Sequence, residues 1–165
     1  MGRIAKFIEL IRSTALSYSK GDIGGGDVLR AENFSGAGDD SVPLPGDYAM
    51  FVETPESGNY ACVGYIDLKN TKAAAAGEKR IYARSGDGAQ IVQLHLKNTG
   101  EASLLNDGGY FTLESGGDVL INGVRITSTG QIITPEGVTL NTHIHNQPSD
   151  SNGDSEQPTG GPENG

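Results

Sequence analysis

Glycines fall at positions 109, 116, 123, 130 and 137, a spacing of seven each time. Three residues after each come Thr112, Val119, Ile126, Ile133 and Leu140, the last four apolar. This reads as an internal repeat of short β-segments joined by glycine corners. Asn122-Gly123 alone would suit a type I′ hairpin, but a fixed spacing of seven favours a strand-corner-strand winding. The last aromatic is Phe111 and tryptophan is absent, so the distal segment has no large side chains with which to build its own core. A repeat of small apolar strips buries them only against neighbouring copies. The expectation is several chains wound side by side into a thin prism, an obligate oligomer.

Composition narrows the function. No apolar run approaches the roughly 18 residues of a membrane-spanning helix. A single cysteine, Cys62, excludes a disulfide framework within one chain and any thiolate zinc cage. It reads as a small core residue. Among residues 99–165 the only base is Arg125, against nine acids. A nucleic-acid grip needs clustered Lys and Arg, so nucleic acid is not expected as a partner. No Gly-x-Ser-x-Gly, nucleophile–base pair or paired carboxylates stands at a usable spacing, and the chain is not expected to be an enzyme.

The proximal half reads differently. Ile4, Phe7, Ile8 and Ile11 fall at i, i+3, i+4 and i+7, with Arg3, Lys6, Glu9 and Arg12 off that stripe. This predicts a short amphipathic helix over 3–14. Twelve residues are marginal alone in water, so the stripe either covers its own domain or docks on a partner. Gly21 to Gly26 reads as a linker. Strand-like runs follow at 27–34, 47–53, 59–67, 79–84 and 90–97, separated by turn residues. Five short strands in that length suggest a small barrel of the OB type, with a small sandwich as the rival. His95 alternates with Val92, Leu94 and Leu96 and is expected on the surface.

Thr142-His143-Ile144-His145-Asn146 is the sharpest chemical feature. Two histidines at i and i+2 on a strand share a face, so both imidazoles of His143 and His145 can reach one metal ion. One chain offers two nitrogens; three chains about an axis would offer six, an octahedral set that argues against tetrahedral structural zinc. The plain alternative is two exposed residues at a strand end. Val138 and Leu140 have the opposite parity, so a kink near Asn141 is required if all four are to face inward. Asp150-Ser151-Asn152-Gly153-Asp154 begins like a calcium loop but lacks its glycine and closing glutamate. The polar, Pro/Gly-rich stretch after Asn146 reads as disordered by composition.

The run Gly137-Val138-Thr139-Leu140-Asn141-Thr142-His143-Ile144-His145, with Gln157-Pro158-Thr159-Gly160-Gly161-Pro162 after it, resembles the tip of the central spikes of contractile phage tails. These are the membrane-piercing spikes of the baseplate assembly protein V type. The resemblance runs from about residue 27 to the end and is strongest over 118–162. It implies an all-β chain with a short N-terminal helix and linker (1–26), an OB-fold domain (27–98), a triple-stranded intertwined β-helix (99–142) and a metal-capped apex (143–165). It further implies a homotrimer holding one iron ion through His143 and His145 of each chain, with room for further ions on the axis. The partners would be the baseplate hub protein, the tail tube and the host outer membrane. The place would be the virion, at the tip of the tail baseplate, after synthesis in the host cytoplasm. Ile4, Phe7, Ile8 and Ile11 are the residues expected to dock on the hub. The alternative is a trimeric OB-fold binding module that recognises a host glycan or another virion protein.

Overall fold

The computed structural model describes residues 1–56 and 58–145. It contains twelve β-strands and no helix among those residues. The chain divides into two compact units: Met1–Lys72 with Ser85–Ala89, and Ala73–Arg84 with Gln90 onward.

The first unit is a closed barrel. Its strands are β1 (Gly2–Arg12), β2 (Ser17–Gly24), β3 (Asp27–Asn33), β4 (Tyr48–Glu53) and β5 (Tyr60–Ile66), joined in the order β1-β2-β3-β5-β4. β4 closes onto β1, and β3 lies parallel to β5. That is the strand order of an OB barrel. Ala5, Phe7, Ala31, Ala49, Phe51 and Cys62 form its core, with Leu10, Ile23, Leu29, Tyr60 and Tyr65 packed around them. Closure demands a bare backbone at Gly21, where a Cβ would sit 2.7 Å from both the Ala5 methyl and the Phe51 ring. The core also carries a polar knot. The Ser19 hydroxyl meets the Tyr65 hydroxyl, which donates to Asn33 Oδ1. Burial pushes the Tyr65 phenol well above its ordinary range.

The expected N-terminal helix is a strand. Residues 3–14 mimic helical periodicity because β1 carries a bulge between Phe7 and Glu9 in its pairing with β2. Inward positions run Ala5, Phe7 and then Leu10, so one inserted residue turns a period of two into a spacing of two and three. Ile4, Ile8 and Ile11 are β-branched and suit a strand. The expected linker is also absent. Gly21 is buried inside β2, while Gly24, Gly25 and Gly26 turn the chain from β2 into β3.

The second unit is a seven-stranded antiparallel meander. Its strands are β6 (Lys79–Arg84), β7 (Gln90–Leu96), β8 (Ala102–Asn106), β9 (Gly109–Leu113), β10 (Val119–Ile121), β11 (Val124–Ile126) and β12 (Ile132–Ile133), each paired with its sequence neighbours. The runs at 79–84 and 90–97 are strands as read, but they open this sheet instead of completing the barrel. The barrel therefore begins at Gly2 and not at residue 27.

Turn chemistry explains the meander. Asn122 and Gly123 both have positive φ, 47° and 91°, and close the β10–β11 hairpin as a type I′ turn. Lys97–Glu101, Glu114–Asp118, Thr127–Gln131 and Thr134–Val138 share another design. In each, the fourth residue is a left-handed glycine whose N–H returns to the first residue's carbonyl, and the first N–H reaches the fifth carbonyl. This is the three-residue hairpin loop with a glycine bulge. Of the seven-spaced glycines, Gly123, Gly130 and Gly137 take left-handed hairpin positions, whereas Gly109 opens β9 and Gly116 stands beside the left-handed Gly117. Among the described residues the strand-corner-strand winding is not seen within one chain. The strip expected at Thr112, Val119, Ile126, Ile133 and Leu140 does not form one face either. Val119 pairs with Ile126, whereas Ile133 pairs with Arg125.

Candidate functional site

The register of the meander sorts its side chains by face. One row across the sheet is Ile81–Leu94–Leu104–Phe111–Ile121–Val124; the next on the same face is Leu96–Ala102–Leu113–Val119–Ile126–Ile132. Every one of these is apolar; at the β6 edge the second row ends on Lys79, which pairs with Leu96. The opposite face carries Arg80, His95, Ser103 and Thr112, and beyond them Leu120, Arg125 and Ile133.

Exposure runs against polarity. Ile81, Leu96, Leu104, Phe111, Leu113, Ile121 and Ile132 are 36–52% exposed, while Ser103 on the polar face is 6% exposed and His95 and Thr112 are half-buried. Those seven side chains present on the order of 600 Å² of apolar surface, at the upper end of the largest patch on an ordinary monomer. It is also close to one partner's share of a stable protein–protein interface. Within this unit no described residue of the meander is a buried hydrophobic.

The polar face is tied together internally. His95 Nε2 lies 3.0 Å from Glu78 Oε2 with both side chains largely covered, which corrects the surface placement expected for His95. The Ala75 N–H, followed by His95, holds the Glu78 carboxyl below its ordinary range. Arg125 bridges Glu114 Oε2 at 2.8 Å and Asp118 Oδ2 at 2.7 Å. The turns on each side of the sheet are stitched to one another. The Ser128 N–H donates to Asp118 Oδ1, the Tyr110 N–H to Asn122 Oδ1 and the Ile132 N–H to Asn141 Oδ1.

At the end of the described chain, Thr139 bridges to Ile133, and the backbone then turns through Thr142 and His143, whose N–H groups both return to the Thr139 carbonyl. His143 and His145 therefore follow a turn and do not lie on a regular strand; the required kink falls at this turn. Their rings lie side by side, centroids 5.0 Å apart and nearly perpendicular. His143 Nδ1 sits 2.9 Å from the Leu140 carbonyl. With Nδ1–H donating to that oxygen, Nε2 carries the lone pair, the arrangement that prepares an imidazole for a metal. The donor type and spacing fit a metal ion, but one chain supplies only this pair. Among the described residues no group of three or more His, Cys, Asp or Glu is gathered. An ion at this point would need donors from other chains. The apex beyond His145, with the Gln157–Pro162 run and the calcium-loop-like 150–154, lies outside the described residues.

The docking stripe expected on a helix is divided by the strand. Phe7 is 2% exposed in the barrel core and Ile11 is half-buried, whereas Ile4 and Ile8 face outward at 66% and 38%. Ile4 pairs with Met50, and Tyr48 with Ile66, so Ile4, Tyr48, Met50 and Ile66 form an exposed apolar patch across β1, β4 and β5. Helical spacing hid this patch; alternation within β4 was its one visible sign. No known protein family matches the chain, and no characterised protein matches it in sequence.

Proposed function

We propose that the chain is a structural protein, the central spike of a contractile phage tail baseplate, which pierces the host outer membrane when the tail contracts. The observation that carries this reading is the uncovered face of the meander. Two apolar rows, one from β6 to β11 and one from β7 to β12, run across the sheet and lie half-open in the single chain. Three copies arranged about an axis, apolar faces inward, would bury all three at once and leave the polar faces in water. That homotrimer is the prism expected from the repeat, now made of meander sheets; winding of the three chains about one another would make it the triple-stranded β-helix of the family it resembles.

His143 and His145 would hold an iron ion, three chains giving six imidazoles. The bound ion would clamp the three chain ends; the residues' own part is to turn at Thr139 and present Nε2. The exposed patch of Ile4, Tyr48, Met50 and Ile66 is the surface through which the barrel would meet the baseplate hub. The reading assigns the chain no reaction and no nucleic-acid partner.

Light scattering on the purified chain, joined to elemental analysis, tests it. A mass near three times 17.2 kDa with about one iron per three chains supports the spike. His143→Ala with His145→Ala should remove the metal and leave the trimer. A monomer at micromolar concentration would end the proposal.

A further inference from the structure

The barrel has a groove of about 450 Å³ lined by Tyr18, Arg30, Glu32, Phe34, Glu56 and Asn59, among others. It lies where β2 and β3 meet the β4–β5 connection, and in a barrel of this strand order that face and that loop form the ligand surface. We propose that this groove binds a neutral oligosaccharide.

The chemistry of the lining selects that ligand. Phe34 is 60% exposed, yet its backbone is pinned, its N–H donating to the Cys62 carbonyl at 2.9 Å. An open aromatic ring on a pinned backbone is a platform for the C–H face of a sugar, whose apolar side stacks as other flat apolar groups do. The Arg30 guanidinium lies 4.4 Å above the Tyr18 ring, which holds its fan of donors in place. Glu32 stands opposite Tyr18 in the β2–β3 register. Asn59 Nδ2 donates to Glu56 Oε2 at 3.0 Å, fixing a carboxylate beside an amide. Planar acceptors and donors held at set spacing are what neighbouring hydroxyl groups bond to.

Charge decides between the ligands such a face can take. Two carboxylates, Glu32 and Glu56, line the groove against one cation, Arg30, in a chain of net charge −9. A phosphate backbone would be repelled, since nucleic-acid affinity comes first from clustered cations. A neutral sugar meets no such penalty. All of its lining residues belong to the barrel unit, so the proposal does not rest on the spike reading.

The test uses the full-length ¹⁵N-labelled protein titrated separately with maltotetraose, N-acetylchitotetraose and dodecathymidylate, while light scattering on the same sample follows the assembly. Saturable amide shifts at Arg30–Phe34 and Asn59–Ala61 with either tetrasaccharide support the proposal. Phe34→Ala should then weaken binding about tenfold, equivalent to about 1.4 kcal/mol, and Phe34→Tyr should retain it. Shifts with dodecathymidylate instead, sugar shifts indifferent to Phe34→Ala, or silence with all three probes at about ten millimolar, an affinity of only ~3 kcal/mol, would each overturn it. The scattering mass separates that failure from a failure of the spike reading.

Discussion

The barrel and the meander are built from the same kind of short strand, and they solve burial in opposite ways. The barrel curls its sheet closed, so Phe51 and Cys62 reach 0% exposure within one chain. The meander stays open, and its more apolar face is its more exposed one. A closed sheet has an inside by geometry; an open sheet acquires one only from something placed against it. Glycine serves both designs differently. Gly21 removes a side chain so that two walls of the barrel approach, while Gly100, Gly117, Gly130 and Gly137 supply left-handed turns that keep the meander antiparallel.

The contrast is most directly broken on the open face. Leu104→Asp with Phe111→Asp places two charges in one of the apolar rows and should convert the proposed trimer to 17.2 kDa monomers while the barrel's cooperative unfolding persists; light scattering and denaturation report the two parts. Retention of the trimer would show that the open face is not the assembly surface. Within the barrel, Phe51→Ala should cost about 3–5 kcal/mol, the range for truncating a fully buried aromatic, read from urea unfolding followed by near-ultraviolet dichroism. A loss under 1 kcal/mol would mean that the barrel is not closed around Phe51.

Smaller effects sharpen the comparison. Gly123→Ala forces a side chain onto a backbone with φ of 91° and within 3.3 Å of the Pro135 ring. A cost of about 1–3 kcal/mol is expected, confined to hydrogen exchange of 119–138, with barrel amides unchanged. The smallest effect concerns pH. Arg125 first, then the Ser128 N–H, holds the Asp118 carboxyl below its ordinary value of 3.8. A depressed carboxyl contributes stability above its ordinary value and loses it as pH falls through the lowered one. Amides around 114–128 should therefore lose protection only in that acid window, and Asp118→Asn should flatten the dependence. Equal acid sensitivity in the variant would assign the effect to another group.

Much of the strand content was legible. The runs read at 27–34, 47–53, 59–67, 79–84 and 90–97 correspond to β3 through β7, because alternation and turn residues are local signals. What partners each strand is not local. Nothing near Lys79 or Gln90 tells whether those strands close a barrel or begin a meander, and the barrel was completed instead by β1 and β2. The bulge after Phe7 disguised β1, since one inserted residue is enough to imitate a helical spacing. The glycine repeat was visible while its geometry was not: a period of seven is shared by corners and by hairpins, and only backbone angles separate them. The histidine pair was visible as a motif, but its setting was not. The turn at Thr139 and the Leu140 carbonyl that orients His143 have no signature in residue spacing.

The meander's strands shorten from seven residues in β7 to two in β12. Along the ladder direction, where strands stack roughly 4.8 Å apart, the paired length steps down from six residues between β6 and β7 to two between β11 and β12. Such a sheet has a mechanical polarity. Pushed along that direction, its rungs close on one another and no bond has to break. Pulled the other way, every rung carries the same load and the shortest pairing, β11 with β12, is the first to part. Along its ladder such a sheet yields to traction before it yields to thrust.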